Sequence, residues 1–331
     1  MRVPFGIFGA RFFAVANILQ LIGWTAVMVA SGAAAAAVLI PSIPFAALAV
    51  AIGLLVALWI FIGLGNVTRV NSFALFALFL LTLFLCFKLF GFSASGGVGP
   101  SGEAIAPAFA FWAALELSIA MPLSWLPLIA DYTKDSERPF AASAASAIVY
   151  TIVSIWMYSI GLGVAFLCGG NGFADSILLA GVGIVGILVV VFSTVTTTFL
   201  DAYSAGESAF SLSKRLPPRW VAVTVSALGT LIAIFAGMDM YINFLYLIAS
   251  IFAPMAAVLI VDWFVVRRRA TLRVCSIVNL FAWLIGLVVY HLALKIDFAF
   301  GATLPSMIIA GMISLINLVI LGRLQSKKGE L

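Results

Sequence analysis

Ten apolar runs, at residues 12–38, 43–63, 70–90, 106–131, 140–168, 176–200, 219–236, 241–265, 276–294 and 303–322, take up most of this 331-residue chain. A helix rises about 1.5 Å per residue, so each run has the length to cross roughly 30 Å of hydrocarbon. Lipid offers no partners to backbone N–H and C=O groups, and a run of this length satisfies them only as a helix. The connectors are short. The stretch SASGGVGPSGE at 93–103 reads as a flexible loop and RRRATLR at 267–273 as a basic connector, and neither is long enough for a soluble domain. The sequence therefore predicts an all-α polytopic membrane protein with about ten transmembrane helices, organised as one transmembrane domain over residues 1–331. A chain that is 65% hydrophobic and 9% charged, with a mean hydropathy of +1.25, is excluded from the soluble globular class.

Ten crossings place both termini on one side, which allows the 17 lysines and arginines to be sorted. The terminal side receives fifteen, from Arg2 and Arg11 through Arg267, Arg268 and Arg269 to Lys328, and the other side only Lys88 and Lys295. The positive-inside rule then predicts cytoplasmic termini in the inner (plasma) membrane. The formal charge of +5 thereby reads as an orientation signal, so nucleic acid is not expected as a partner. His291 is the only histidine, which excludes a histidine-built metal or catalytic cluster within the chain. Cys86, Cys168 and Cys275 are far apart and have no metal-ligand spacing.

The fourth run, within PAFAFWAALELSIAMPLSWLPLIADYTKDSERP at 107–139, breaks the pattern of a simple anchor because it carries Glu116, Pro122 and Pro127. Each proline lacks the N–H that bonds the carbonyl four residues back, so the carbonyls of Ser118 and Leu123 are expected to lose their helical partners. In hydrocarbon, such groups persist where protein, water or a bound solute satisfies them. Two readings stand: a kinked packing helix, or a broken helix at a solute site.

Polar residues are sparse elsewhere and fall in patterns. In the first run Asn17, Gln20, Trp24 and Ser31 share one helical face. A glutamine beside a tryptophan offers a planar heterocycle a hydrogen-bonding edge and a stacking plane, while interhelical bonding is the plainer account. In the sixth run Ser193, Thr194, Thr196, Thr197 and Thr198 precede Asp201 and Ser204, and Ser193, Thr197, Asp201 and Ser204 line one stripe. Hard oxygen donors with a carboxylate suit Na⁺ or a proton, although threonines also serve helix packing. If that helix begins near 177 the run lies close to the cytoplasmic end; a start near Gly183 would place it deeper. Asp131 and Asp135, four apart, read as a solvated helix end or as a Mg²⁺ pair on a diphosphate. Asp262 reads as an interfacial acid at the end of a helix kinked by Pro254.

Taken together, NILQLIGWTAVMVASGA, ELSIAMPLSWLPLIADYT and VTTTFLDAYSAG resemble the nucleobase:cation symporter family of purine, cytosine and allantoin permeases. Within it, the branch proposed to carry hydroxymethylpyrimidine, the thiamine precursor, looks nearest. The resemblance implies a LeuT-type inverted-repeat fold and coupled import of a planar heterocycle with Na⁺ or H⁺, without an enzymatic step or cofactor. It makes the ten runs that family's helices three to twelve, so helices one and two are expected to be lacking. The 331-residue chain by itself is then expected not to be a competent carrier. The implied substrate-binding residues are Gln20, Trp24, Glu116, Met121, Ser124 and Trp125, with Met121 standing where many members carry an aromatic. The implied cation-binding residues are Ser193, Thr194, Thr196, Thr197 and Asp201, and no metal beyond Na⁺ is implied. The alternatives are a purine, cytosine or allantoin permease, a non-transporting remnant, and a Mg²⁺-dependent intramembrane transferase using Asp131 and Asp135.

Overall fold

A computed structural model of the chain describes residues 2–62, 64–94, 111–129, 136–167, 183–236, 241–266, 276–296, 298 and 300–328. Among the described residues there are ten α-helices and no strand: α1 (Arg2–Leu39), α2 (Phe45–Ile62), α3 (Leu64–Ala94), α4 (Phe111–Trp125), α5 (Pro139–Leu167), α6 (Gly183–Leu212), α7 (Pro218–Ala236), α8 (Tyr241–Ile260), α9 (Ile277–Lys295) and α10 (Thr303–Lys328). Each apolar run of the sequence falls on one of them. By length and composition α1, α2, α5, α6, α7, α8 and α9 are candidate membrane spans, and α3 and α10 hold shorter apolar stretches, Ser72–Lys88 and Thr303–Ile316. The fourth is different, since α4 is 15 residues and stops at Trp125. Its described part rises about 22 Å.

Two boundaries differ from the sequence reading. Helix α1 begins at Arg2, with Gly6 (φ 77°) separating a first turn from the span. That turn is pinned by backbone and side-chain bonds: Asn279 Nδ2 donates to the Pro4 carbonyl at 2.6 Å, and the Ser276 N–H to the Phe5 carbonyl at 3.2 Å. Helix α6 continues to Leu212, a dozen residues past the expected end. Beyond that end Ala202, Ala205 and Ala209 form a small buried stripe. Gly206 packs so closely that a Cβ there would lie 2.4 Å from the Pro218 carbonyl.

The chain divides into two compact units, one of residues 1–20, 107–130 and 240–331, the other of 21–106 and 131–239. Helix α1 contributes its first half to one and its second half to the other.

The first unit is centred on α8, whose uncharged, alanine-rich stretch is buried at every residue from Phe252 to Val258. A Cβ on Gly286 of α9 would lie 2.5 Å from the Pro254 side chain and 2.9 Å from that of Ala310, so three helices meet where the sequence supplies no side chain. Ser306 Oγ donates to the Gly286 carbonyl across the same contact at 2.8 Å. A π-helical turn, Val261–Val266, continues α8, and Asp262 on it is buried instead of interfacial.

The second unit uses the same small-residue packing, which lets backbones approach where lipid supplies no hydrophobic drive. Ser226 Oγ of α7 donates to the Gly53 carbonyl of α2 at 3.2 Å. One turn on, Gly229 faces Thr25 of α1, where a Cβ would lie 2.5 Å from the threonine methyl. Helix α5, by contrast, turns Ile148, Ile152, Ile155 and Leu162 outward as a lipid-facing surface requires.

Candidate functional site

The break in α4 is built by its prolines. Helical geometry runs through Pro122 to Trp125, after which the chain tightens into two i+3 turns, Leu126 N–H to the Leu123 carbonyl at 3.2 Å and Leu128 N–H to the Trp125 carbonyl at 2.9 Å. The Leu123 carbonyl thus finds a nearer donor than the one Pro127 denies it. Tightening moves the loss one residue along, because the Leu128 N–H that would serve the Ser124 carbonyl has been spent on Trp125. That carbonyl is taken instead by Gln20 of α1, whose Nε2 donates to it at 2.8 Å.

Gln20 is held for this task. Its Nε2 also donates to Asn17 Oδ1, one turn back, at 2.7 Å, and both side chains are buried. Both donors of the amide are used, while Oε1 is buried with no hydrogen-bond partner. A buried acceptor left bare costs about 1–3 kcal/mol, which an incoming N–H would recover. Trp24 follows four residues later on the same helix and is 6% exposed. Ser124 is buried, and its Oγ donates to the Met121 carbonyl at 2.6 Å. The Met121 sulfur accepts from the Tyr241 hydroxyl at 3.8 Å, and Trp125 closes the helix half-open, at 37% exposure. The structure therefore brings Gln20, Met121 and Ser124 together at one break.

Glu116 has another placement. It is buried, and its carboxylate meets the start of α10, where Oε2 accepts the N–H groups of Ala302 and Thr303 at 3.0 Å each and Oε1 accepts the Thr303 hydroxyl. The first N–H groups of a helix lack intrahelical partners and carry the positive end of its dipole, so a carboxylate there serves as a cap.

On α6 the hydroxyls bond back along their own helix. Thr194, Thr197 and Thr198 donate to the carbonyls four residues back at 2.7–2.8 Å, and Thr196 to Ser193 three back at 2.9 Å. These donors are spent within the helix, but each oxygen keeps lone pairs for a cation. Ser193, Thr196, Thr198 and Ser204 are buried, whereas Thr194, Thr197 and Asp201, at spacings of three and four, share a half-buried face. The Thr194 methyl packs where a Cβ on Gly32 would lie 3.2 Å away, which accounts for that residue by packing. Asp201 has neither hydrogen bond nor ion pair among the described residues. The hydroxyl run lies at least 14 residues, about 21 Å, from the end of the helix at Leu212.

Sequence reasoning missed the capping of α10, because the partner of Glu116 lies 187 residues away, and it missed Tyr241. Asp131 and Asp135 fall outside the described residues. Among the described residues no group of three or more His, Cys, Asp or Glu side chains is placed to hold a metal ion.

A bundle of apolar helices, one of them interrupted by prolines with its freed carbonyl held by a buried amide, defines a polytopic membrane protein of the broken-helix kind found among transporters. Comparison with protein families matches residues 1–274 to the permeases for cytosine/purines, uracil, thiamine and allantoin, and the chain belongs to that family. No curated protein matches it at a comparable level.

Proposed function

We propose that this permease imports a pyrimidine-like base, or a thiamine precursor such as hydroxymethylpyrimidine, together with Na⁺ or H⁺ across the inner membrane. The observation that carries the reading is the amide of Gln20, fixed by Asn17 and the Ser124 carbonyl with its own carbonyl oxygen buried and bare. A heterocycle with a ring or exocyclic N–H supplies the missing donor, and Met121 and Trp125 supply apolar faces for its ring; Trp24, one turn beyond Gln20 on α1, is the proposed stacking residue of that helix. Ser193, Thr196, Thr197 and Asp201 are the proposed ion ligands, Thr194 being the weakest member of that set. Transport has no chemical step to catalyse, and its energetics lie in how differently the two open states bind solute and ion. The fifteen-to-two division of basic residues supports cytoplasmic termini for this chain.

Uptake of labelled hydroxymethylpyrimidine, cytosine, uracil and allantoin by cells expressing the protein tests the reading. Saturable uptake of one of them, competed by the others in order of affinity, is expected. Uptake of none, with the protein present in the membrane, overturns it.

A further inference from the structure

We infer that Glu116 is a positioning residue: its carboxylate is the plug of a joint whose socket is the Gly301–Ala302–Thr303 turn, and this joint fixes the helical half of α4 to α10. The socket is shaped for an anion. Two consecutive backbone N–H groups and one hydroxyl converge on the carboxylate at the N-terminus of a 26-residue helix. Gly301 has φ +72°, and a Cβ there would lie 2.6 Å from Glu116 Oε2, so glycine serves both the turn and the approach of the acid. The turn is itself closed by the Gly301 N–H on the Phe298 carbonyl at 2.9 Å and the Phe298 N–H on Ala293 at 3.1 Å. On α9 the Tyr290 hydroxyl is buried beside Glu116 and Thr303. A cavity of about 240 Å³, lined by Trp112, Glu116, Tyr246, Phe298 and Ala302 among others, opens against the joint.

The joint matters because of what else α4 carries. Glu116 and Ser124 are eight residues apart, about 12 Å along the helix. The short helix is therefore tied to α10 near one end and, through Gln20, to α1 at the other. Between these two ties the described backbone is helical through to Trp125. This inference stands apart from what the chain carries, and its test uses no transport readout.

Hydrogen exchange on the purified full chain in nanodiscs reads the joint directly. E116A should raise exchange roughly ten-fold at residues 300–306 and 111–125 while leaving α7 unchanged, since local opening is set by local ties. Formate, a free carboxylate small enough for the cavity, should restore the protection. T303V, which removes only the hydroxyl donor, should give a smaller rise in the same two segments and remains informative if E116A does not fold. Unchanged exchange in E116A, a rise that formate leaves in place, or a T303V effect spread over all the helices would overturn the inference.

Discussion

Two of the acids carried by these helices, Glu116 and Asp201, are solved in opposite ways. Glu116, on the broken α4, is buried with both carboxylate oxygens bonded to the start of α10. Asp201, on the continuous α6, sits half-buried below the hydroxyl run with no partner among the described residues. A carboxylate in hydrocarbon is costly, and its presence signals function unless the structure answers it. Three donors answer Glu116. Asp201, with no such answer among the described residues, is the acid we propose for the coupling cation or proton.

The contrast can be broken at several points. Removing the Glu116 side chain leaves two backbone donors and a hydroxyl buried and unpaired, so E116A should cost about 3 kcal/mol in detergent unfolding. D201N, by contrast, should stay within about 1 kcal/mol of the parent in the same assay, because it breaks no bond. Equal losses for the two would erase the distinction. For the solute, W24A should weaken base binding by about 1–3 kcal/mol, the range for stacking a base on an aromatic side chain, with expression near normal. An unchanged affinity would return Trp24 to helix packing. Smallest is the difference between two threonines. T197A should raise the Na⁺ concentration for half-maximal binding, whereas T194V, which keeps the branched shape packed near Gly32, should leave it unchanged within about twofold. Equal shifts would show that the hydroxyl run acts only in packing.

Much of the architecture was legible because hydrocarbon imposes length and apolarity on every span, and ten runs became ten helices. The prolines announced the break of α4, and the three-four spacing announced the buried Asn17, Gln20 and Trp24 face. What failed to show was whatever depends on a distant partner. No local signal near Glu116 points to Thr303, and none near Ser124 points to Gln20, 104 residues earlier. Glycines hid the close contacts, since Gly53, Gly229 and Gly286 matter for the side chain they lack. The apolar run ends at 200 where Asp201 interrupts it, whereas the helix continues to Leu212 on small residues that suit a tight helix contact in a membrane.

The most direct measurement is accumulation of labelled base in liposomes holding the purified protein, with Na⁺ and pH gradients imposed one at a time, for the parent and for D201N. The account predicts accumulation above equilibrium under one of the two gradients, and in D201N only equilibration across the membrane with the base still bound. Gradient-driven accumulation by D201N at the parent's level would contradict it.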